Sequence, residues 1–150
     1  MSDRAIMQRS AGDRLTLIES SFARLAGRPL VPPGSDLWSA ANAIVAHGPQ
    51  DPPLFFYANA QALELFRMSA ARFIGLPSYK SAEPGLREER AAMLAQLEAE
   101  DMVTNYRGIR IAADGTRFVI ENAVVWNLID EAGQRHGQAA TFAQWSPVPD

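Results

Sequence analysis

The stretch Pro53-Leu-Phe-Phe-Tyr-Ala-Asn-Ala-Gln-Ala-Leu-Glu-Leu-Phe-Arg67 decides the fold, because its pattern changes from that of a strand to that of a helix at one residue. Leu54 to Tyr57 are bulky and rich in aromatic side chains, and two prolines precede them, as is typical of a short buried strand. Asn59 follows, a residue type whose side-chain oxygen accepts hydrogen bonds from the first free N–H groups of a helix. Beyond it, apolar residues recur at helical spacing: Ala62, Leu63, Leu65 and Phe66. The stretch therefore predicts a strand that leads directly into a helix capped by Asn59.

A second organised segment, Asp13 to Gly27, carries one apolar stripe at steps of three and four residues, formed by Leu15, Ile18, Phe22 and Leu25. The stripe predicts an amphipathic helix, with Asp13 as its N-cap and Gly27 just beyond its end. Two alternatives for what covers the stripe stay open: the rest of the chain, or the same helix of a second copy. The second predicts a homodimer with these four residues at its interface. Residues 1–12 are predicted to be a disordered N-terminus, and the proline-rich residues 28–36 a linker.

The middle of the chain predicts one more strand and further helices. Ala43 to Ala46 form a short apolar run, and Ser69 is placed to cap a short helix that ends at Gly75. Glu83 to Glu100 predict a longer helix with a charged side and a side that faces the core, the latter comprising Leu86, Arg90, Met93, Leu94 and Leu97.

The last third of the chain predicts three strands, Thr104 to Ala112, Arg117 to Ile129 and Gly137 to Trp145. Asp114-Gly115 is a strong hairpin signal between the first two. With two strands before the helices and three after, the predicted fold class is α+β. It has a five-stranded antiparallel sheet with short helices on one face and the N-terminal amphipathic helix on the other. Residues 37–146 make up this domain.

Composition excludes several classes of function. The chain has 150 residues, a net charge of -3 and a sequence pI near 5.4, which favour a single domain and disfavour a nucleic-acid partner. It contains no cysteine, as is typical of a reducing compartment, and the sequence shows neither an export signal nor an apolar run of membrane-spanning length. The expected location is the cytoplasm, with no membrane partner.

Seven segments, in order, resemble the MEKHLA family, a PAS-like domain found alone in bacteria and at the end of some plant homeodomain-leucine zipper regulators. The resemblance extends from about Asp13 to Trp145 and implies the general PAS fold and a sensor of light, redox state or a small chemical. The plant proteins' role in transcription does not transfer, because this chain lacks their DNA-binding parts. The segments begin at Asp51, Ala62, Ile74, Ala82, Tyr106, Ile120 and Gly137 and include Asp51-Pro-Pro-Leu-Phe-Phe-Tyr-Ala-Asn59, Ile120-Glu-Asn-Ala-Val-Val-Trp-Asn127 and Gly137-Gln-Ala-Ala-Thr-Phe142.

The resemblance suggests cofactors that the residues can test. A photosensor that forms a cysteinyl-flavin adduct is excluded, because the chain has no thiol. Haem is disfavoured because the helix from Glu83 to Glu100 has no histidine and Met93 is better explained as a core residue. His47 and His136 lie far apart without carboxylates at ligand spacing, so no metal site is predicted. A noncovalent flavin or a small metabolite remains as the expected ligand.

The long strand from Arg117 to Ile129 gives the best view of a pocket. Both of its faces are largely apolar, and a one-residue bulge would exchange them. The sequence therefore does not decide which face lines a cavity. Hydrogen-bonding and aromatic groups on this strand and its neighbour predict a ligand site formed by Tyr106, Arg110, Glu121, Asn122 and Trp126. The alternative is that Arg110 and Glu121 pair across the outer surface.

Three hypotheses of function follow. The leading one is a sensory PAS-like module that binds a small organic molecule or noncovalent flavin and signals through homodimer contacts, with a signalling protein as a further partner. The second is a ligand-free dimerisation or docking module. The third is a small enzyme, with Glu121 and Asn122 as base and hydrogen-bond donor, although the sequence carries no recognisable catalytic motif and no catalytic residue is assigned.

Overall fold

A computed structural model describes residues 1–82 and 87–148, and only the backbone of Arg87 and Arg90. The described chain forms an antiparallel sheet in the order β2-β1-β5-β4-β3, with β6 paired to β4. The predicted α+β class and antiparallel sheet are confirmed. The elements are α1 (Asp3–Ala11), α2 (Arg14–Ala26), β1 (Ala43–His47), β2 (Phe55–Ala58), α3 (Ala60–Phe66), α4 (Ala70–Phe73), a 3₁₀ helix (Ser78–Ser81), α5 (Arg87–Glu100), β3 (Met102–Ile111), β4 (Arg117–Ile129), β5 (Arg135–Phe142) and β6 (Gln144–Pro147).

The strand predicted over Gly137 to Trp145 is two strands. Ala143 interrupts it, and β5 and β6 follow one another along the same side of β4, as the pairs Val124 with Thr141 and Glu121 with Gln144 show. The sheet therefore has six strands instead of the predicted five. The predicted helix from Glu83 to Glu100 is described from Arg87 onward, and its core positions Leu86 and Arg90 lie outside the described side chains.

Asn59 links β2 to α3 as predicted, and it does more than cap the helix. Its Oδ1 accepts hydrogen bonds from the Ala62 N–H (3.1 Å) and from the Ile44 N–H of β1 (3.0 Å). Its Nδ2 donates to the carbonyl oxygens of Leu37 (3.0 Å) and Asn42 (2.8 Å). The side chain is fully buried, so one amide joins β1, α3 and the segment before β1.

The prediction that residues 1–12 are disordered is wrong. They contain α1, whose N-cap Ser2 accepts a hydrogen bond from the Ala5 N–H. Met7 is fully buried, and the Ser10 hydroxyl donates to the Phe56 carbonyl of the edge strand β2. The polar sequence of this segment did not predict a helix, because the helix is stabilised by packing on β2 and α4.

Helix α2 is covered by its own chain. Ile18 and Phe22 are buried, the Phe22 ring lies edge-on to Trp126 of β4 at 4.9 Å between centroids, and the Trp126 Nε1 donates to the Ile18 carbonyl (3.3 Å). The sheet therefore covers the stripe, and Ile18 and Phe22 have no free surface to offer a second copy. Gly27 adopts the predicted left-handed conformation at φ 73°, whereas the Asp13 side chain makes no capping hydrogen bond.

A bulge in β4 exchanges its two faces at Asn122, which has a φ of 54°. Opposite it, the register with β3 shifts by one residue between the pairs Tyr106 with Ala123 and Gly108 with Ile120. Before the bulge, even-numbered Phe118 packs edge-on against Phe66 of α3. After it, even-numbered Trp126 packs against α2 on the other face. A strict alternation along β4 therefore does not exist, which is what the sequence left open.

Candidate functional site

The sheet face beneath α5 carries an apolar row that crosses four strands. Val45 of β1 pairs with Ala140 of β5, which pairs with Val125 of β4, and Val125 pairs with Val103 of β3. Residues directly opposite each other in an antiparallel sheet share a face. This row forms the floor of a cleft, and Ala140 supplies the smallest side chain at its centre.

A polar row lies two residues further along the same strands. His47 of β1 pairs with Gln138 of β5, and Gln138 pairs with Asn127 of β4. Because side chains two residues apart share a face, this row continues the floor of the cleft. Asn127 is buried and its Nδ2 donates to the Leu97 carbonyl (3.0 Å) and to Asp101 Oδ1 (2.8 Å), so it holds the end of α5. His47 and Gln138 are half-buried.

The apolar residues beneath α5 form a cluster of their own. Met93, Leu97, Val103 and Val125 pack together, apart from the main core of the domain. A cavity of about 50 Å³ lies at the seam between this cluster and the main core. Its lining comes from both sides: Val45, His47, Phe55, Phe66, Ser81, Met93, Leu94, Tyr106, Arg110, Ile120, Val125, Gln138, Ala139, Ala140 and Phe142.

A wider cleft of about 270 Å³ adjoins this cavity. It shares His47, Leu94 and Gln138 with the cavity and is bordered by the turn after β1 and by Glu98 and Arg135. The two spaces together offer an apolar inner part and a polar outer part. An apolar concavity with a few convergent polar groups is the usual form of a small-molecule site.

Arg110 and Tyr106 line the cavity from β3. The Tyr106 ring lies over Gly108, where an added Cβ would meet the Tyr106 hydroxyl at 2.9 Å. This close approach directs the hydroxyl toward Arg110, whose Nη2 donates to it at 3.5 Å. The Arg110 Nη1 donates to the Ile109 carbonyl (3.1 Å). Glycine at position 108 therefore allows the tyrosine and the arginine to share one end of the cavity.

The C-terminal end of α5 is tied to the sheet through Asp101. The Asp101 N–H donates to the Leu97 carbonyl, and the Asn127 N–H donates to the Asp101 carbonyl, each at 2.9 Å. The carboxylate accepts hydrogen bonds from the Asn127 amide and from the Arg135 guanidinium, each at 2.8 Å. The Asn127 hydrogen bond, followed by that of Arg135, lowers the pKa of the Asp101 carboxyl despite opposing desolvation.

This lowered pKa predicts an acid-dependent loosening of the α5 terminus. A carboxyl whose folded pKa lies below its unfolded value of about 3.9 contributes stability above that value and loses it as pH falls through the folded pKa. Asp101→Asn keeps a residue that tolerates the left-handed backbone at φ 66° but cannot ionise. In urea titrations, wild type should exceed this variant in stability at pH 7, and the difference should shrink below about pH 4. A difference that does not change with pH would contradict this role.

Of the five residues predicted to bind ligand, two line the cavity and three do not. Tyr106 and Arg110 line the cavity, whereas Trp126 lies on the opposite face against α2. Glu121 and Asn122 are exposed: Glu121 pairs with Arg107 at 3.4 Å, and the Asn122 amide donates to Gln144. The surface pair suggested for Arg110 and Glu121 is therefore not formed. Glu121 follows Ile120, which lines the cavity, so ordinary alternation along β4 already turns Glu121 to the opposite face. The bulge at Asn122 then places Trp126 on that same opposite face.

His47, Gln138 and the apolar row were not predicted from the sequence. Gln138 lies between small residues in the motif that begins at Gly137, and a polar side chain inside an otherwise small and apolar strand was the available signal. His47 was considered only as a metal ligand, but it ends β1 and borders the cavity. In residues 1–82 and 87–148, no group of three or more His, Asp or Glu side chains is arranged to hold a metal ion. None of the described helices is long and apolar enough to cross a membrane.

Comparison with known proteins identifies the fold. The model of the MEKHLA domain family matches residues 13–147. No curated protein matches the chain. Among solved structures, the PAS domain of a protein from Colwellia psychrerythraea has a TM-score of 0.62 at 20% identity, over 74% of this chain and 89% of that one.

Fungal photoreceptors share the same architecture. The light-state dimer of the blue-light photoreceptor Vivid has a TM-score of 0.61 at 15% identity, over 85% of this chain and 93% of that one. A fungal LOV domain photoreceptor has a TM-score of 0.58 at 17% identity, over 85% of this chain and 88% of that one. At these identities the likeness shows a PAS/LOV-like fold and leaves the ligand to be argued from this chain's own residues.

Proposed function

The chain belongs to the MEKHLA domain family, and from this membership and its PAS-type fold we propose that it is a sensory module that binds a small organic molecule between α5 and the sheet. The observation that carries the proposal is the position of the cavity, at the seam between the main core and the separate cluster beneath α5. A molecule in this seam would contact both parts at once, so its binding would change how α5 packs on the domain.

The volume of the cavity limits the size of the molecule that can bind in it. About 50 Å³ is room for a few water molecules, whereas drug-sized ligands occupy pockets of about 300–1,000 Å³. A flavin ring system would therefore need α5 to move away from the floor. The hydrogen bonds of Asp101 hold the C-terminal end of α5, so the opening motion would pivot there and widen the cavity near Met93. This geometry favours a small metabolite over a flavin.

The same strands offer a path for the signal. Val125 forms the floor of the cavity, and its neighbour Trp126 packs on Phe22 of α2 on the other face. A shift of β4 caused by ligand would therefore reach α2 directly. The observable of such coupling is the environment of the Trp126 indole, which near-UV circular dichroism reports.

Ala140→Leu tests the binding proposal, because the larger side chain would fill the centre of the floor. We expect purified wild-type protein to release a small molecule on gentle denaturation, detected by absorbance and mass spectrometry, and this variant to carry at least tenfold less. Ala95→Leu makes the same substitution on the exposed side of α5 and should retain the molecule. Ala140→Val, a smaller change, serves if the leucine variant does not fold. Equal loading of wild type and both Ala140 variants would refute the site.

The small size of the cavity favours a second candidate function, a docking module with a nearly filled core. The same experiment separates the two. Wild-type protein that carries no molecule, and binds none from a panel of small organic compounds, supports the docking module.

Signalling through a homodimer is also proposed, with an interface that uses only the two half-buried residues of the α2 stripe. Leu15 and Leu25 remain half-buried on α2 and could contribute to a contact between copies, unlike Ile18 and Phe22. We expect light scattering of wild type at tens of micromolar to give the mass of a dimer, and the double change of Leu15 and Leu25 to aspartate to give a monomer that keeps its circular dichroism. A wild-type monomer would exclude this mode of signalling.

A further inference from the structure

Arg110 brings a positive charge to a cavity whose lining includes no acidic side chain among the described residues. The guanidinium is half-buried. It lies on β3, where pairing with Phe118 and a bridge to Ala82 fix the backbone on both sides. The charge is thus held at the cavity by the sheet and does not depend on a flexible loop.

Within the described residues, the chain gives this guanidinium only neutral acceptors. Its two hydrogen bonds go to the Ile109 carbonyl and, at a long 3.5 Å, to the Tyr106 hydroxyl. No described carboxylate lies within ion-pair distance of it. The guanidinium has five N–H groups in a planar fork, so donors remain for a further acceptor. Arg107, three residues earlier on the same strand, differs because it is exposed and paired with Glu121.

We propose that the ligand is an organic acid whose carboxylate pairs with Arg110 and whose apolar body lies in the seam beneath α5. The inference deepens the proposed function and rests on it. A carboxylate can form a bidentate ion pair with the planar guanidinium group, and such a pair is stronger when partly buried than when fully exposed to water. The Tyr106 hydroxyl adds a neutral donor beside the same position, and Phe66, Ile120 and Phe142 supply the apolar wall. A neutral molecule of the same shape would leave the guanidinium without its partner.

Matched acid and alcohol probes test this inference. Hexanoate and 1-hexanol share an apolar chain and differ in charge, and acetate carries the charge without the chain. In calorimetric titrations at pH 7, wild type should bind hexanoate at least tenfold more tightly than 1-hexanol. It should also bind acetate more weakly than hexanoate. Arg110→Gln should lower the affinity for hexanoate at least tenfold and keep the affinity for 1-hexanol within twofold of the wild-type value. Arg107→Gln, the control on the same strand, should bind both as wild type does.

If Arg110→Gln does not fold, Arg110→Lys replaces it in the test. Lysine keeps the positive charge but cannot form the bidentate pair, so a preference for hexanoate between that of wild type and none would support the inference. Equal binding of hexanoate and 1-hexanol to wild type would overturn the inference and leave the proposed site standing. A preference for hexanoate that survives in Arg110→Gln would also overturn it. If neither probe binds wild type, this inference is overturned, whereas the proposed function is decided separately by whether wild-type protein releases a small molecule on denaturation.

Discussion

Trp126→Ala should lower the free energy of unfolding by about 3–5 kcal/mol, the range expected for removal of a large buried aromatic side chain. The indole has no exposed surface, packs edge-on against Phe22, and donates to the Ile18 carbonyl. Its loss would open a cavity between β4 and α2 and leave that carbonyl without its donor. Urea titration followed by far-UV circular dichroism measures the change.

Trp145→Ala is the matched control, because Trp145 is only half-buried at the edge of the sheet on β6. Its ring contacts Phe142 at 6.0 Å between centroids, and the smaller buried area predicts less than half the cost of Trp126→Ala. If Trp145→Ala proves the more damaging change, the packing of α2 on β4 described above cannot be what stabilises the domain.

Asn59→Ala should cost about 3 kcal/mol, well above the value of about 1 that the loss of an N-cap alone would predict. Alanine would leave two N–H donors, of Ile44 and Ala62, and two carbonyl acceptors, of Leu37 and Asn42, without this partner in a buried position. Such unpaired buried groups are the expensive part of a lost hydrogen bond. The same urea titration measures the loss.

Ser69→Ala separates capping from this wider role. Ser69 is an exposed N-cap whose hydroxyl accepts one hydrogen bond from the Arg72 N–H at 3.4 Å. Its replacement should cost about 0.5–1 kcal/mol. Equal effects of the two substitutions would mean that Asn59 acts as an ordinary cap and that its contacts with β1 contribute nothing.

Most helix and strand positions could be predicted because their signals are local. The strand before Asn59, the cap itself, the Asp114-Gly115 turn and the end of α2 at Gly27 each depend on residues a few positions apart. Helix α1 could not be predicted in this way. Its order depends on contacts with β2 and α4, for example the hydrogen bond from the Ser10 hydroxyl to Phe56, which lies far along the chain.

The candidate site was only half predictable. Tyr106 and Arg110 were identified by residue type, and they do line the cavity. Glu121, Asn122 and Trp126 were grouped with them for their hydrogen-bonding and aromatic side chains, while the face of β4 that lines the cavity was left undecided. The left-handed backbone at Asn122 breaks the alternation along β4, and its position depends on the register with β3, which no single strand encodes.

The amino-acid sequence by itself determined the α+β class, the antiparallel sheet, the family, and the absence of a thiol that excludes a cysteinyl-flavin adduct. These follow from residue types, short-range periodicity and ordered motifs. Tertiary structure alone decided that the sheet covers Ile18 and Phe22, and that His47, Gln138 and Ala140 share one floor with Val125. The physical reason is that cross-strand pairing joins residues almost a hundred positions apart, and one bulged residue reverses which side chains meet.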